Sequence, residues 1–315
     1  MNQIFFLWIE EYLFYPRLFQ KILSFILSPF SILYLLIILL KRLFSIKKDF
    51  KVPIISVGNL IIGGSGKTPM IISLVKDKKD VAVILRGYGR VSKGLYTISK
   101  DGNILHDVSI SGDEAMLLAK SLPNATIIVC ENRVKGIKEA IRLKKKIIFL
   151  DDAFSKYSIK KLDVLLIPKI EPKNSMLIPS GCYREPKFMY NFTDILLKDG
   201  VDFKRVVKYK LGSKFINILP TKLLLLTSIS KANRLLEYLP KYTKIVIFKD
   251  HYNFNHQDID NILLKYKNYS IITTSKDMVK LEQFNISNLY LMHLQLEMIS
   301  SSKLTKIDDY INSFY

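Results

Sequence analysis

The stretch Ile54-Ile55-Ser56-Val57-Gly58-Asn59-Leu60-Ile61-Ile62-Gly63-Gly64-Ser65-Gly66-Lys67-Thr68 decides the fold. Pro53–Val57 is a short apolar run that predicts a strand buried on both faces. A glycine-rich loop follows, and Lys67–Lys76 predicts a helix. In such a strand–loop–helix, glycines let the backbone curl so that successive N–H groups point at one anion, helped by the helix N-terminus. Lys67 would reach the β- and γ-phosphates of a nucleotide, and the Thr68 hydroxyl would ligate Mg²⁺. Ile61, Ile62, Gly63, Gly64, Ser65, Gly66, Lys67 and Thr68 are therefore expected to bind ATP. The usual first glycine of G-x-x-x-x-G-K-[ST] is replaced by Ile61.

Working outward, further strands are predicted at Val81–Leu85, Thr126–Cys130, Lys146–Leu150 and Val164–Pro168. Helices are predicted at Asp113–Leu122 and Val134–Leu143. Apolar strands alternating with helices argue for a parallel sheet covered on both faces. Around Asp101-Gly102, Tyr96–Ser99 and Asn103–His106 read as a small hairpin. The run Ile147-Ile148-Phe149-Leu150-Asp151-Asp152 is a strand ending in acids, suited to holding and positioning Mg²⁺. The expected fold class is α/β: a P-loop NTPase-like parallel-sheet domain, a second, smaller α/β domain and an N-terminal membrane-associating helix. The expected boundaries are 1–48 for the helical segment, 49–190 for the P-loop core, 191–221 for a connector ribbon and 222–315 for the smaller domain.

The uncharged stretch Ile22–Leu40 would span about 28 Å as a helix, close to the thickness of a bilayer core. Pro29 interrupts it, among Ser24, Ser28 and Ser31. Basic residues flank both ends, and upstream aromatics such as Trp8, Tyr12 and Phe19 suit an interface. A bent helix lying in or dipping into the membrane is expected. A secretory signal is not, because the apolar run starts late and lacks a small-residue cleavage pattern.

The chain carries 48 basic against 28 acidic residues over 315, a formal charge of +20. Such a charge reads as a compositional drift toward Lys, Ile and Asn or as a surface that attracts anionic membrane or nucleic acid, but no basic run is interleaved with aromatics as nucleic-acid platforms are. No nucleic-acid partner is expected. The two cysteines, Cys130 and Cys182, lie far apart and fit neither a disulfide framework nor a zinc site.

The run VGNLIIGGSGKTP at Val57–Pro69 resembles the tetraacyldisaccharide 4′-kinases, the lipid A 4′-kinases of Gram-negative bacteria. Further matches follow in the family's order. They are Arg86-Gly87-Tyr88-Gly89-Arg90, Gly112-Asp113-Glu114, Asp151-Asp152-Ala153-Phe154, Leu177-Ile178-Pro179 to Arg184-Glu185-Pro186, Asp250-His251-Tyr252-Asn253-Phe254, and TTSKDMVKL from Thr273 to Leu281. Ser155 and Lys156 replace the family's Gln and His, and Ser275 its Glu.

The resemblance implies an ATP- and Mg²⁺-dependent kinase acting on the 4′-hydroxyl of an acylated glucosamine disaccharide 1-phosphate. Lys67 would be catalytic, Asp113 the base and His251 its partner. The two lie in different predicted units, which implies a site in the cleft between them. Arg86, Arg90, Arg133 and Arg184 are guanidinium candidates for phosphate. Arg133 is expected on ATP, and Arg86 and Arg184 on substrate or phosphate, with Glu114 assisting. Thr68, Asp151, Asp152 and Glu185 are the expected metal ligands. The partners implied are the acylated lipid and the cytosolic leaflet, with no obligate protein partner, at the cytoplasmic face of the bacterial inner membrane. Two rival readings stay open: a membrane-associated P-loop ATPase of the targeting or partitioning switch type, and a soluble small-molecule kinase or ligase. A switch would have no need of Asp250-His251.

Overall fold

The computed structural model describes residues 3–229, 232–300 and 302–315, arranged in two compact units. Each unit is assembled from separate stretches of chain. The first comprises residues 1–67, 146–203 and 298–315, and the second residues 68–145 and 204–297.

In the first unit, strands β1 (Ile54–Gly58), β6 (Ile147–Asp151), β7 (Leu162–Ile167) and β8 (Ile195–Lys198) lie in the order β6-β1-β7-β8, all parallel. Residues 54–58 of β1 are all buried, as a strand covered on both faces requires. Val57 pairs with Asp151, and the Asp152 amide donates to the Val57 carbonyl at 2.9 Å. That register brings the loop after β1 and the acids after β6 out side by side at the carboxyl ends of the strands, where open parallel sheets bind ligands. β8 falls in the stretch expected to be a connector, and it pairs with β7.

The helices α1 (Gln3–Phe14) and α2 (Leu18–Leu43) also belong to the first unit. The second runs continuously through Pro29. Its buried positions are Gln20, Ser24, Ser31 and Ile38, at helical spacing on one face. Three of the four are polar. Ser31 Oγ lies 2.8 Å from the Leu177 carbonyl and accepts from the Ser180 amide at 3.1 Å. Asn174 donates to Ser24, and the Tyr34 hydroxyl donates to the Arg184 carbonyl at 3.0 Å. The opposite face is apolar and open, with Phe19 84% and Phe25 76% exposed. This inverts the usual pattern of a surface helix, which turns its apolar stripe inward.

In the second unit, β2 (Val81–Leu85), β3 (Tyr96–Lys100), β4 (Asn103–Ile104) and β5 (Ala125–Val129) lie in the order β4-β3-β5-β2. β2 and β5 are parallel, and β3–β4 is the expected hairpin. The helices are α3 (Lys67–Val75, its first residue closing the first unit), α4 (Val108–Ser111), α5 (Asp113–Ser121) and α6 (Arg133–Arg142).

The rest of that unit holds β9 (Phe203–Leu211), β10 (Lys214–Ile216), β11 (Leu223–Thr227), β12 (Lys244–Ile247), β13 (Ser270–Thr274) and β14 (Leu289–Met298). They form a sheet in the order β10-β9-β14-β13-β11-β12, with β14, β13, β11 and β12 parallel. α7 (His256–Lys265) and α8 (Ser275–Leu281) follow β12 and β13, and α9 (Ser302–Asn312) ends the chain within the first unit.

Candidate active site

The expected site residues form two groups of side chains, one around the glycine loop and one on the second unit. The first surrounds the glycine loop. Gly66 has φ +90°, a left-handed conformation that a side chain would strain, and it delivers Lys67 to the start of α3. Ile61 is buried among Leu60, Phe154, Leu177 and Tyr183 and forms an antiparallel bridge with Tyr183. The Ile62 amide donates to the Cys182 carbonyl at 2.9 Å, and the Arg184 amide to the Leu60 carbonyl at 2.7 Å. The missing glycine thus has a structural reason: Ile61 is a core residue stitched to the 182–184 segment. The same stitching delivers Arg184 and Glu185 to the loop.

Arg184 grips Asp152 with both terminal nitrogens, at 2.6 and 2.8 Å, and donates to Asn59 Oδ1 at 2.7 Å. Lys67 Nζ lies 3.8 Å from Asp152 and donates to Asn59 Oδ1 at 3.3 Å. Asp152 itself has φ +50°, an uncommon conformation for a residue with a side chain. Asn59 Oδ1 accepts from both cations and so is the hub between them. Glu185 is buried and accepts from the Tyr157 hydroxyl, and burial pushes its carboxyl upward.

Arg184 Nε and the Asn59 amide nitrogen are buried without acceptors among the described residues, as donors awaiting an anion would be. The oxygen donors Thr68, Asp151, Asp152 and Glu185 suit a hard cation. Among the described residues no three acids, histidines or cysteines cluster as a dedicated cage. That agrees with Mg²⁺, which is usually held by one or two carboxylates together with phosphates and water. The residues present therefore fit both a nucleotide phosphate and Mg²⁺.

The second group is built on α5. Gly112 (φ +77°) precedes it, and a Cβ there would come within 3.0 Å of the Tyr88 carbonyl. This lets the Arg86–Arg90 loop lie against the helix start. Asp113 is the first helical residue, 6% exposed. His251 Nδ1 sits 3.0 Å from its carboxylate. The imidazole is held edge-on to Tyr88 at 5.0 Å, and the His251 amide donates to the Ser228 carbonyl at 3.1 Å. Sequence reading put Asp113 and His251 in different units; both lie in the second, where α5 packs against α8.

From α8, Lys276 pairs with Glu114 at 2.9 Å, and Lys280 reaches within 3.8 Å of Asp113. Burial pushes the Asp113 carboxyl up, but the hydrogen bond to His251 and the charges of Lys276, His251 and Lys280 outweigh it, so it sits below its ordinary value. His251 is raised by its bond to Asp113, against burial and Lys276.

These two shifts set a pH window. The couple's contribution to stability is fully present between the ordinary carboxylate and imidazole values, about 3.9 and about 6.5. It is lost as pH falls through the lowered Asp113 value, and as pH rises through the raised His251 value. His251→Gln is therefore expected to flatten the fall in melting temperature above about pH 6.5. Thermal melts of both proteins from acid to alkaline pH check this; parallel curves would refute the pairing.

Three guanidinium candidates take distinct places. Arg86 is exposed after β2 and has no protein partner among the described residues. Arg90 is committed to the fold: it pairs with Glu131, donates to Ser92 at 3.2 Å and lies over Tyr96. Arg133 is buried at the start of α6, with one terminal nitrogen on the Cys130 carbonyl at 2.9 Å. Sequence patterns identify guanidinium groups but not the carboxylate or carbonyl that claims each one.

A glycine loop with paired cations and acids, on a chain that also carries a buried carboxylate–imidazole couple, defines a P-loop phosphotransferase. A sequence model described as LpxK: Tetraacyldisaccharide-1-P 4′-kinase matches residues 23–312. The chain belongs to that family. A tetraacyldisaccharide 4′-kinase of Aliarcobacter butzleri is 55% identical, with all of both chains covered. One from Helicobacter pylori is 41% identical over 97% of this chain and 95% of that protein. The crystal structure of LpxK from Aquifex aeolicus in complex with ATP superposes with a TM-score of 0.74 at 29% identity, covering 93% of this chain and all of that one.

Proposed function

We propose that this kinase of lipid A biosynthesis transfers the γ-phosphoryl group of ATP to the 4′-hydroxyl of an acylated glucosamine disaccharide 1-phosphate. The observation that carries the reading is the buried Asp113–His251 contact at 3.0 Å, on a chain that also has a phosphate loop. An ATPase that works as a switch needs the loop but no base for an alcohol.

The new bond joins the 4′-oxygen to the γ-phosphorus, and the bond from that phosphorus to the β,γ-bridging oxygen breaks, releasing ADP. The alcohol proton passes to the Asp113 carboxylate, which His251 orients. Lys67, Arg184 and the loop amides hold phosphate oxygens and offset the charge that spreads over them in the transition state. Thr68, Asp151 and Asp152 would hold Mg²⁺, and Glu185, bonded to the Tyr157 hydroxyl, is a further candidate ligand; when bound, the ion would neutralise phosphate charge. Arg86, open after β2, is assigned to an anionic group of the substrate, and Arg133 to the nucleotide. Turnover assays with and without the acylated disaccharide check the reading: ATP consumption that does not depend on the lipid would overturn it.

The inverted α2 supports docking at the cytosolic leaflet, where ATP and a bilayer-bound acceptor are both within reach. The helix has 26 residues and is long and apolar enough to cross a membrane. Ser24 and Ser31 face the protein, leaving Phe25, Phe30 and Leu33 outward. Changing these three to Glu spares every hydrogen bond the helix makes to residues 174–184. The variant is expected to keep its fold and ATP affinity but leave anionic vesicles in a flotation assay. Undiminished flotation would refute the docking.

A further inference from the structure

Behind Asp113 lies a buried polar cluster with no assigned role. Asp277 is 0% exposed and accepts from the Thr227 hydroxyl at 2.7 Å, the Ser228 amide at 3.1 Å and the Thr274 hydroxyl at 3.0 Å. Lys280, one helical turn on, is also buried. Its ammonium lies 3.1 Å from Asp277 and donates to the Ser228 hydroxyl at 2.7 Å. The Phe254 ring lies 5.5 Å from it. An ammonium has three donors. With Asp277 and Ser228 served, the remaining charged neighbour is Asp113, at 3.8 Å. A buried lysine is costly unless paired, and one carboxylate would suffice to pair it. Here it stands between two, one sealed in the interior and the other lining the pocket shared with Gly89 and His251.

We infer that Lys280 is a positioning residue for the phosphoryl-transfer step: anchored by Asp277 and Ser228, it holds the Asp113 carboxylate ionised and in place beside its imidazole partner. The inference rests on Asp113 being the proton acceptor. The groups that face Asp113 are His251, with Asp250 beyond it, from the segment before α7, and Lys276 and Lys280 from α8. On its own helix, Glu114 engages Lys276. Lys280 differs from Lys276 in being tied to an interior carboxylate.

The test is steady-state kinetics of Lys280→Met, Lys280→Arg and the double variant Lys280→Met/Asp277→Asn, with Asp113→Ala in parallel. Removing the cation is expected to lower plateau kcat about tenfold or more, because the carboxylate keeps His251 and the Glu114 amide but loses the charge fixed to the interior. The KM values should stay within about twofold, and the acid limb of the kcat–pH profile should move to higher pH. Lys280→Arg should keep the limb where it is. The double variant leaves no buried charge unpaired, so it should recover the melting temperature but neither kcat nor the limb. A purely structural role predicts that kcat and the limb recover together with the melting temperature, and recovery of kcat in the double variant would overturn the inference. So would a Lys280→Met enzyme with the wild-type limb and plateau. If Asp113→Ala alone retained wild-type kcat, the base assignment itself would fall; a dead Asp113→Ala beside an unaltered Lys280→Met would reject only the role of the lysine.

Discussion

Asp113→Ala is expected to lower kcat by about 10²–10⁴-fold, the usual range for losing a positioned general base. ATP affinity should stay within about twofold, since the nucleotide phosphates are assigned to Lys67, Arg184 and the glycine loop. The substitution leaves His251, Lys276 and Lys280 without their common anion, so melting temperatures must be read beside the kinetics. Asp113→Asn keeps the shape and part of the hydrogen bonding and should be nearly as slow, because an amide accepts no proton. Equal rates for wild type and either variant would remove Asp113 from the mechanism.

The second large effect is expected from Lys67→Ala. Lys67 is tied to Asn59 and Asp152, and in the proposed reaction its ammonium meets phosphate both in bound ATP and in the transition state. Both ATP affinity and kcat should therefore fall, with kcat/KM down by about 10³ or more. Asp152 keeps its two-pronged bond to Arg184, so melting temperature should change little. Lys67→Arg should not restore activity, because a planar fork does not replace a compact ammonium in a loop of this width. A variant that lost only ATP affinity would place Lys67 in ground-state binding alone.

Much of this was legible in the chain. Apolar runs such as Val81–Leu85 could be read as strands because a parallel sheet covered on both faces demands apolar residues without alternation. The GGSGKT run was legible because a backbone that must wrap an anion leaves few residue choices. Other features were visible as letters but not as partners. Lys276, Asp277 and Lys280 sit in a motif already noticed, yet helical periodicity says only that positions 276 and 280 share a face. That the face meets Asp113 and Glu114 depends on α5 packing against α8. Ser24 and Ser31 of α2 read as interruptions of an apolar helix and prove to be attachment points.

What the chain determined by itself, then, is every element whose requirements are local: strand runs, a phosphate-binding turn, the length and apolarity of the N-terminal helix. The tertiary structure alone decided which charges meet. Arg184 met Asp152, Arg90 met Glu131, and Asp113 met His251 across 138 positions of sequence. An ion pair depends on separation in space, and only packing brings distant stretches of chain within a few ångströms of each other.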